Sequence, residues 1–141
     1  MSISRNQQNY IIMSVIYIEL NDFNYGDKAL SRSAEEMMYE MSKDYDPDLT
    51  KIPPFIEDMV NASLLNYGEA MNKFSAHLKG WKWERIPLIS QAVLLMSYTR
   101  FYTIDKVDKA IIIDIAVNLA KEYIDEKQAR FIHAILDETL I

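Results

Sequence analysis

The chain has 141 residues, half of them apolar and about a quarter charged, with three glycines, four prolines, no cysteine and a net charge of −6. That length suits one domain burying about 70% of the surface its unfolded chain exposes, and the shortage of turn residues argues against a β sandwich. Missing cysteines exclude disulfides and thiolate chemistry, and the acidic balance weighs against tight, sequence-independent nucleic-acid binding by the chain alone.

Ser4 and Gln7 have capping-box spacing and predict a first helix from residue 4 to about residue 21. Ile11, Ile12, Val15 and Ile16 then share one face. The run YIIMSVIYIEL is rich in β-branched residues, but its length and its cap favour helix over strand. Asn21 to Asp27, which contains Gly26, reads as a loop. A second helix is expected from Lys28 to Lys43, with Ala34, Met37, Met38 and Met41 on its inner side. Asp44 to Pro54 is the clearest break, and its Pro47, Pro53 and Pro54 preset a new helix start. Helices follow from Phe55 to about Asn66 and from about Tyr67 to Leu78, stopped by Lys79 and Gly80.

Pro87 sits in the first turn of a helix ending near Phe101, and Asp105 is expected to cap the next, which runs to about Tyr123. The polar residues of that helix, Asp114, Asn118, Lys121 and Glu122, form a narrow stripe, so it is expected to be buried on most sides. Asp125 and Gln128 open a final helix with Ala129, Ile132, Ile135, Leu136 and Thr139 on one side. The fold class is therefore all-α, with about seven helices. We expect a single helical domain over residues 1–141, with an N-terminal subdomain of about 1–80 and a C-terminal three-helix subdomain of about 81–141. No apolar run approaches the roughly 18 residues of a membrane span, and no secretory leader pattern opens the chain. A cytoplasmic location is the expectation.

No catalytic constellation emerges. Asp44, Asp46 and Asp48 suggest a calcium loop, but the positions needing glycine and glutamate hold Leu49 and Phe55, which leaves a solvated acidic loop. His77 and His133 lack any ligand spacing, so no metal is expected. Gly26, Gly68 and Gly80 belong to no phosphate-cradling loop, and no serine sits in a nucleophile elbow. We expect no enzyme activity and no cofactor. The methionines at helical spacing read as core. Trp81, Lys82 and Trp83 could stack on bases or anchor a partner, but packing between helical units is favoured.

From Trp83 to Ile141 the motifs fall in a recognisable order: Arg85, the run Ala92-Val93-Leu94, Asp114, the block Ala116 to Lys121, Tyr123, then Arg130-Phe131-Ile132 and Ile135-Leu136-Asp137. This order resembles the NusB family of bacterial transcription antitermination factors. The resemblance implies two small packed helical subdomains and a non-catalytic, RNA-dependent role. It implies binding to boxA-type RNA of ribosomal leaders together with NusE, the small-subunit ribosomal protein, within the transcription elongation complex. No membrane partner is implied, and a homodimer is left open. RNA-facing residues would be Arg5, Tyr17, Tyr123, Arg130 and Phe131. The chain departs from the family pattern in three respects. Its arginine-rich start is reduced to Arg5-Asn6-Gln7-Gln8-Asn9, Leu95 and Ile115 replace charged residues, and Arg100 replaces a glutamate. Two rival readings are a protein-only adaptor that has lost RNA binding and an RNA-targeting module like that of ribosomal RNA cytosine methyltransferases. The sequence carries no Rossmann-type cofactor motif to support the second.

Overall fold

The computed structural model describes residues 2–25 and 33–141, and among these are seven α-helices, one 3₁₀ turn and no strand. The helices are α1 (Arg5–Tyr25), α2 (Ala34–Tyr45), α3 (Pro54–Leu65), α4 (Tyr67–Ser75), α5 (Leu88–Tyr102), α6 (Lys109–Tyr123) and α7 (Glu126–Thr139). The 3₁₀ turn, Trp83–Arg85, precedes α5.

The reciprocal cap predicted for α1 is present. Ser4 N–H donates to Gln7 Oε1 at 2.9 Å, and Gln7 N–H donates to Ser4 Oγ at 3.1 Å. The predicted face of Ile11, Ile12, Val15 and Ile16 is fully buried. The helix runs on to Tyr25, which corrects the loop expected from Asn21. Asn and Asp are only modestly unfavourable inside a helix, and nothing before Gly26 forces a stop. The expected start of the second helix at Lys28 lies outside the described residues. Described α2 follows Ser33, whose hydroxyl accepts the Glu36 N–H at 3.1 Å. Pro54 opens α3 at a position where the missing N–H costs nothing.

α5 is the centre of the molecule. Every residue from Ser90 to Thr99 is buried, and α5 packs against α1, α3, α4, α6 and α7. Its polar side chains are tolerated because they find partners. Ser97 Oγ donates to Val93 O at 2.7 Å, Ser63 Oγ donates to Thr99 Oγ1 at 3.0 Å, and Ser90 Oγ donates to Gln128 Oε1 at 2.8 Å. Gln91 Nε2 donates to the carbonyls of Trp83 and Ile86, each at 3.1 Å. A buried polar group left unpaired costs about 1–3 kcal/mol, so these bonds are a condition of the helix lying there.

The narrow polar stripe of α6 misled. That helix leaves Ile111 50% exposed and buries only Ile112, Ile113, Ala116, Leu119 and Ala120. Apolar residues regularly remain at protein surfaces, so few polar residues do not make a helix central. Asp105 does not cap α6 either. Asp108 holds the N-cap position without a side-chain bond, and Asp105 instead pairs with Arg100 at 3.2 Å. In α7 half of the expected box forms: Asp125 accepts the Gln128 N–H, while the Gln128 side chain turns to Ser90. The predicted inner face of α7 is buried in full.

The tryptophans divide. Trp83 is buried, stacks on Phe74 with ring centroids 5.8 Å apart, and donates Nε1–H to Tyr67 Oη at 2.9 Å. It thereby locks α4 to the turn before α5. Trp81 is 60% exposed.

Candidate functional site

The five sequence-predicted site residues sit on three helices. α1 carries Arg5 and Tyr17, α6 ends on Tyr123, and α7 carries Arg130 and Phe131. With the aliphatic face of α1 turned inward, Tyr10 and Tyr17 lie seven residues apart, about two turns or 10.5 Å along the axis.

Arg5 is exposed at the start of α1, and its guanidinium carbon lies 3.6 Å from the centroid of the Phe55 ring. Arg100 approaches the same ring at 5.1 Å. Phe55 thus holds two cations, one of which, Arg100, is neutralised by Asp105 through contacts of 3.2 and 3.4 Å. Arg5 has no carboxylate partner among the described residues. Cation–π contact orders its long side chain at the head of α1 without cancelling its charge.

Tyr17 is 37% exposed and Tyr123 is 40% exposed. The Tyr123 ring rests on Tyr10 with centroids 4.7 Å apart, tying the end of α6 to α1. Burial pushes the Tyr123 hydroxyl above its ordinary pKa, and the adjoining Glu122 carboxylate adds to the shift. Tyr45 is raised in the same direction, first by burial and then by Tyr10, Asp44 and Glu122. Both phenols therefore stay protonated, able to donate as well as accept, throughout the neutral range.

Arg130 is exposed with no ion-pair partner among the described residues, and Phe131 is half-buried against the core. The structure joins Tyr123 to Tyr10, and Arg5 to Phe55 and Arg100. No hydrogen bond, ion pair or ring contact among the described residues links Tyr17, Arg130 or Phe131 to those groups. Sequence reasoning missed Tyr10, Tyr45, Phe55 and the packing role of Arg100. Seven-residue spacing with Tyr17 could have flagged Tyr10. Nothing local marks Phe55 or Tyr45, which meet their partners across distant segments.

Beside the Tyr10–Tyr123 pair, a groove of about 550 Å³ runs between α1 and α6 over Ile115 and Leu119. The Asp44–Asp46–Asp48 run closes on itself, Asp48 N–H donating to Asp46 Oδ1 at 3.3 Å. Among the described residues no helix is long and apolar enough to cross a membrane.

A NusB family model matches residues 5–140. The transcription antitermination protein NusB of Sulfurovum sp. (strain NBC37-1) is 26% identical over 134 residues, covering 95% of each chain. The protein of the same name from Halalkalibacterium halodurans is 30% identical over 86 residues, 61% of this chain. That alignment spans 64% of the Halalkalibacterium protein, less than two thirds of its length. Among solved structures, T. maritima NusB superposes with a TM-score of 0.77 at 17% identity, covering 99% of this chain and 92% of that one. A chain in the crystal structure of a plectonemic RNA supercoil also gives 0.77, at 18% identity and with 96% and 92% coverage. At such identities these two likenesses show a shared fold.

Proposed function

The chain belongs to the NusB family, whose model spans nearly all of it, and on that premise we propose that it is a non-enzymatic antitermination factor. In this reading it binds boxA-type RNA of ribosomal leaders together with NusE, within the transcription elongation complex. The observation that carries the reading is that the candidate residues include both exposed rings and uncancelled cations. Tyr17 and Tyr123 keep 37% and 40% of their surface open, and Arg5 and Arg130 lack carboxylate partners among the described residues. Single-stranded RNA is recognised by stacking unpaired bases on aromatics and meeting the backbone with cations. The solved neighbour with the RNA supercoil supports the same direction.

The charge inventory sets the terms. Two free arginines among the candidate residues allow about two phosphate contacts, hence a log–log salt slope of only about −1.4 for single strands. Affinity that shallow in salt needs help from a partner, which is the role given to NusE. A labelled boxA RNA titrated with the protein, with and without NusE, tests the proposal at low and near-physiological salt. Binding that strengthens with NusE and disappears with a scrambled RNA is the expected result. Absence of binding in every condition would reject it in favour of a protein-only adaptor, a reading supported by the single arginine between residues 5 and 9 and by its stacking on Phe55.

A further inference from the structure

The groove between α1 and α6 has a lining unlike a phosphate site. Three tyrosines, Tyr10, Tyr45 and Tyr123, form part of its wall, together with the carboxylates of Asp114 and Glu122. No lysine or arginine lines it. Neither carboxylate has an ion-pair partner among the described residues. Asn9 also lines the groove, and although it is only 3% exposed, its side-chain amide has no hydrogen-bond partner among the described residues. Its amide stays open to water, which a ligand seated in the groove would displace.

We propose that this groove binds the guanidinium of an arginine presented by a basic partner protein. A guanidinium carries five N–H donors in one plane, stacks on aromatic faces, and is more weakly hydrated than an ammonium. The groove offers complementary groups: tyrosine rings as flat faces, the Asn9 side-chain oxygen as an acceptor, and two carboxylates to balance the charge. The net charge of −6 steers a basic segment toward the molecule. A nucleotide fits less well, because its phosphate would meet two uncompensated carboxylates and no cation. The proposal is independent of RNA binding and adds a protein-facing site to the proposed RNA surface, with Tyr123 at their shared edge.

The test uses the whole ¹⁵N-labelled chain, titrated with acetyl-Gly-Arg-Gly-amide, the isosteric citrulline peptide, and adenosine monophosphate. The Asn9 side-chain amide resonance is identified by its loss in Asn9→Asp. The arginine peptide is expected to shift that resonance saturably, and the uncharged citrulline peptide is expected to leave it in place. Asp114→Asn combined with Glu122→Gln should weaken arginine-peptide binding at least about tenfold while the helical circular dichroism stays unchanged. Equal shifts from citrulline, or no shift from any probe, would overturn the proposal. A shift from adenosine monophosphate alone would overturn it too and reassign the groove to nucleotide.

Discussion

Tyr98 shows how much one buried phenol sets in this protein. It is 2% exposed and donates to Glu69 Oε1 at 2.8 Å. Burial first, and then that bond, push its pKa well above 10. The folded chain therefore holds the proton more tightly than the unfolded chain, whose tyrosine ionises near pH 10. Stability from this group is complete below that pH and is lost as the solution becomes more alkaline. Tyr98→Phe should flatten the alkaline decline in denaturant unfolding above about pH 10, while costing about 0.5–1.5 kcal/mol at neutral pH for the lost bond. Glu19 works in the opposite sense at neutral pH. Its Oε1 is buried without a partner, and burial followed by the Asp22 charge raises its pKa. Its favourable contribution exists only at acid pH and is lost as pH rises through the raised value. Glu19→Gln should raise the melting temperature at pH 7 and leave it nearly unchanged near pH 4; a lower melting temperature at pH 7 would contradict this.

The helices differ in how much of themselves the sequence reveals. α1 and α7 announce their starts through Ser4 with Gln7 and through Asp125, because a cap is a contact between residues three apart. A single side-chain cap of the same spacing opens α2, Ser33 Oγ accepting the Glu36 N–H, downstream of the expected start at Lys28. Asp105 looked like a cap, but Arg100 claims it from the preceding helix. α5 was the hardest to read, since its serines, glutamine and threonine belong on a surface until their partners are known. Thr99→Val should cost about 1–3 kcal/mol in urea unfolding, because it strands the buried Ser63 hydroxyl. Adding Ser63→Ala should recover part of that loss. If the two changes were simply additive, the pairing would not be what holds Thr99 at the centre.

At the scale of the whole molecule, the proposed RNA surface and the core share residues unequally. Arg130 projects from α7 without a partner among the described residues. Arg130→Ala should leave unfolding free energy within about 0.5 kcal/mol and flatten the salt slope of RNA capture by about 0.7. Phe131, its neighbour, packs half-buried against the core, so Phe131→Ala should lower stability by about 2 kcal/mol, roughly half the cost at a fully buried site. Comparing both variants by thermal melting and by RNA titration separates a contact from a prop. Arg5 stands between these cases, since its stacking on Phe55 joins the head of α1 to α3.

Sequence alone determined the helical class, the caps and the inward faces of α1 and α7, because each depends on residues a turn or two apart. The motif order from Arg85 onward also pointed to the family, since it records spacing along the chain. Only the tertiary structure decided that α5 rather than α6 is central, that Asp105 serves Arg100, and that Trp83 packs while Trp81 faces solvent. It alone brought Tyr10, Tyr45 and Tyr123 around an unpartnered Asn9. These depend on which helix meets which, and a periodic pattern says that a face must be covered without saying by what.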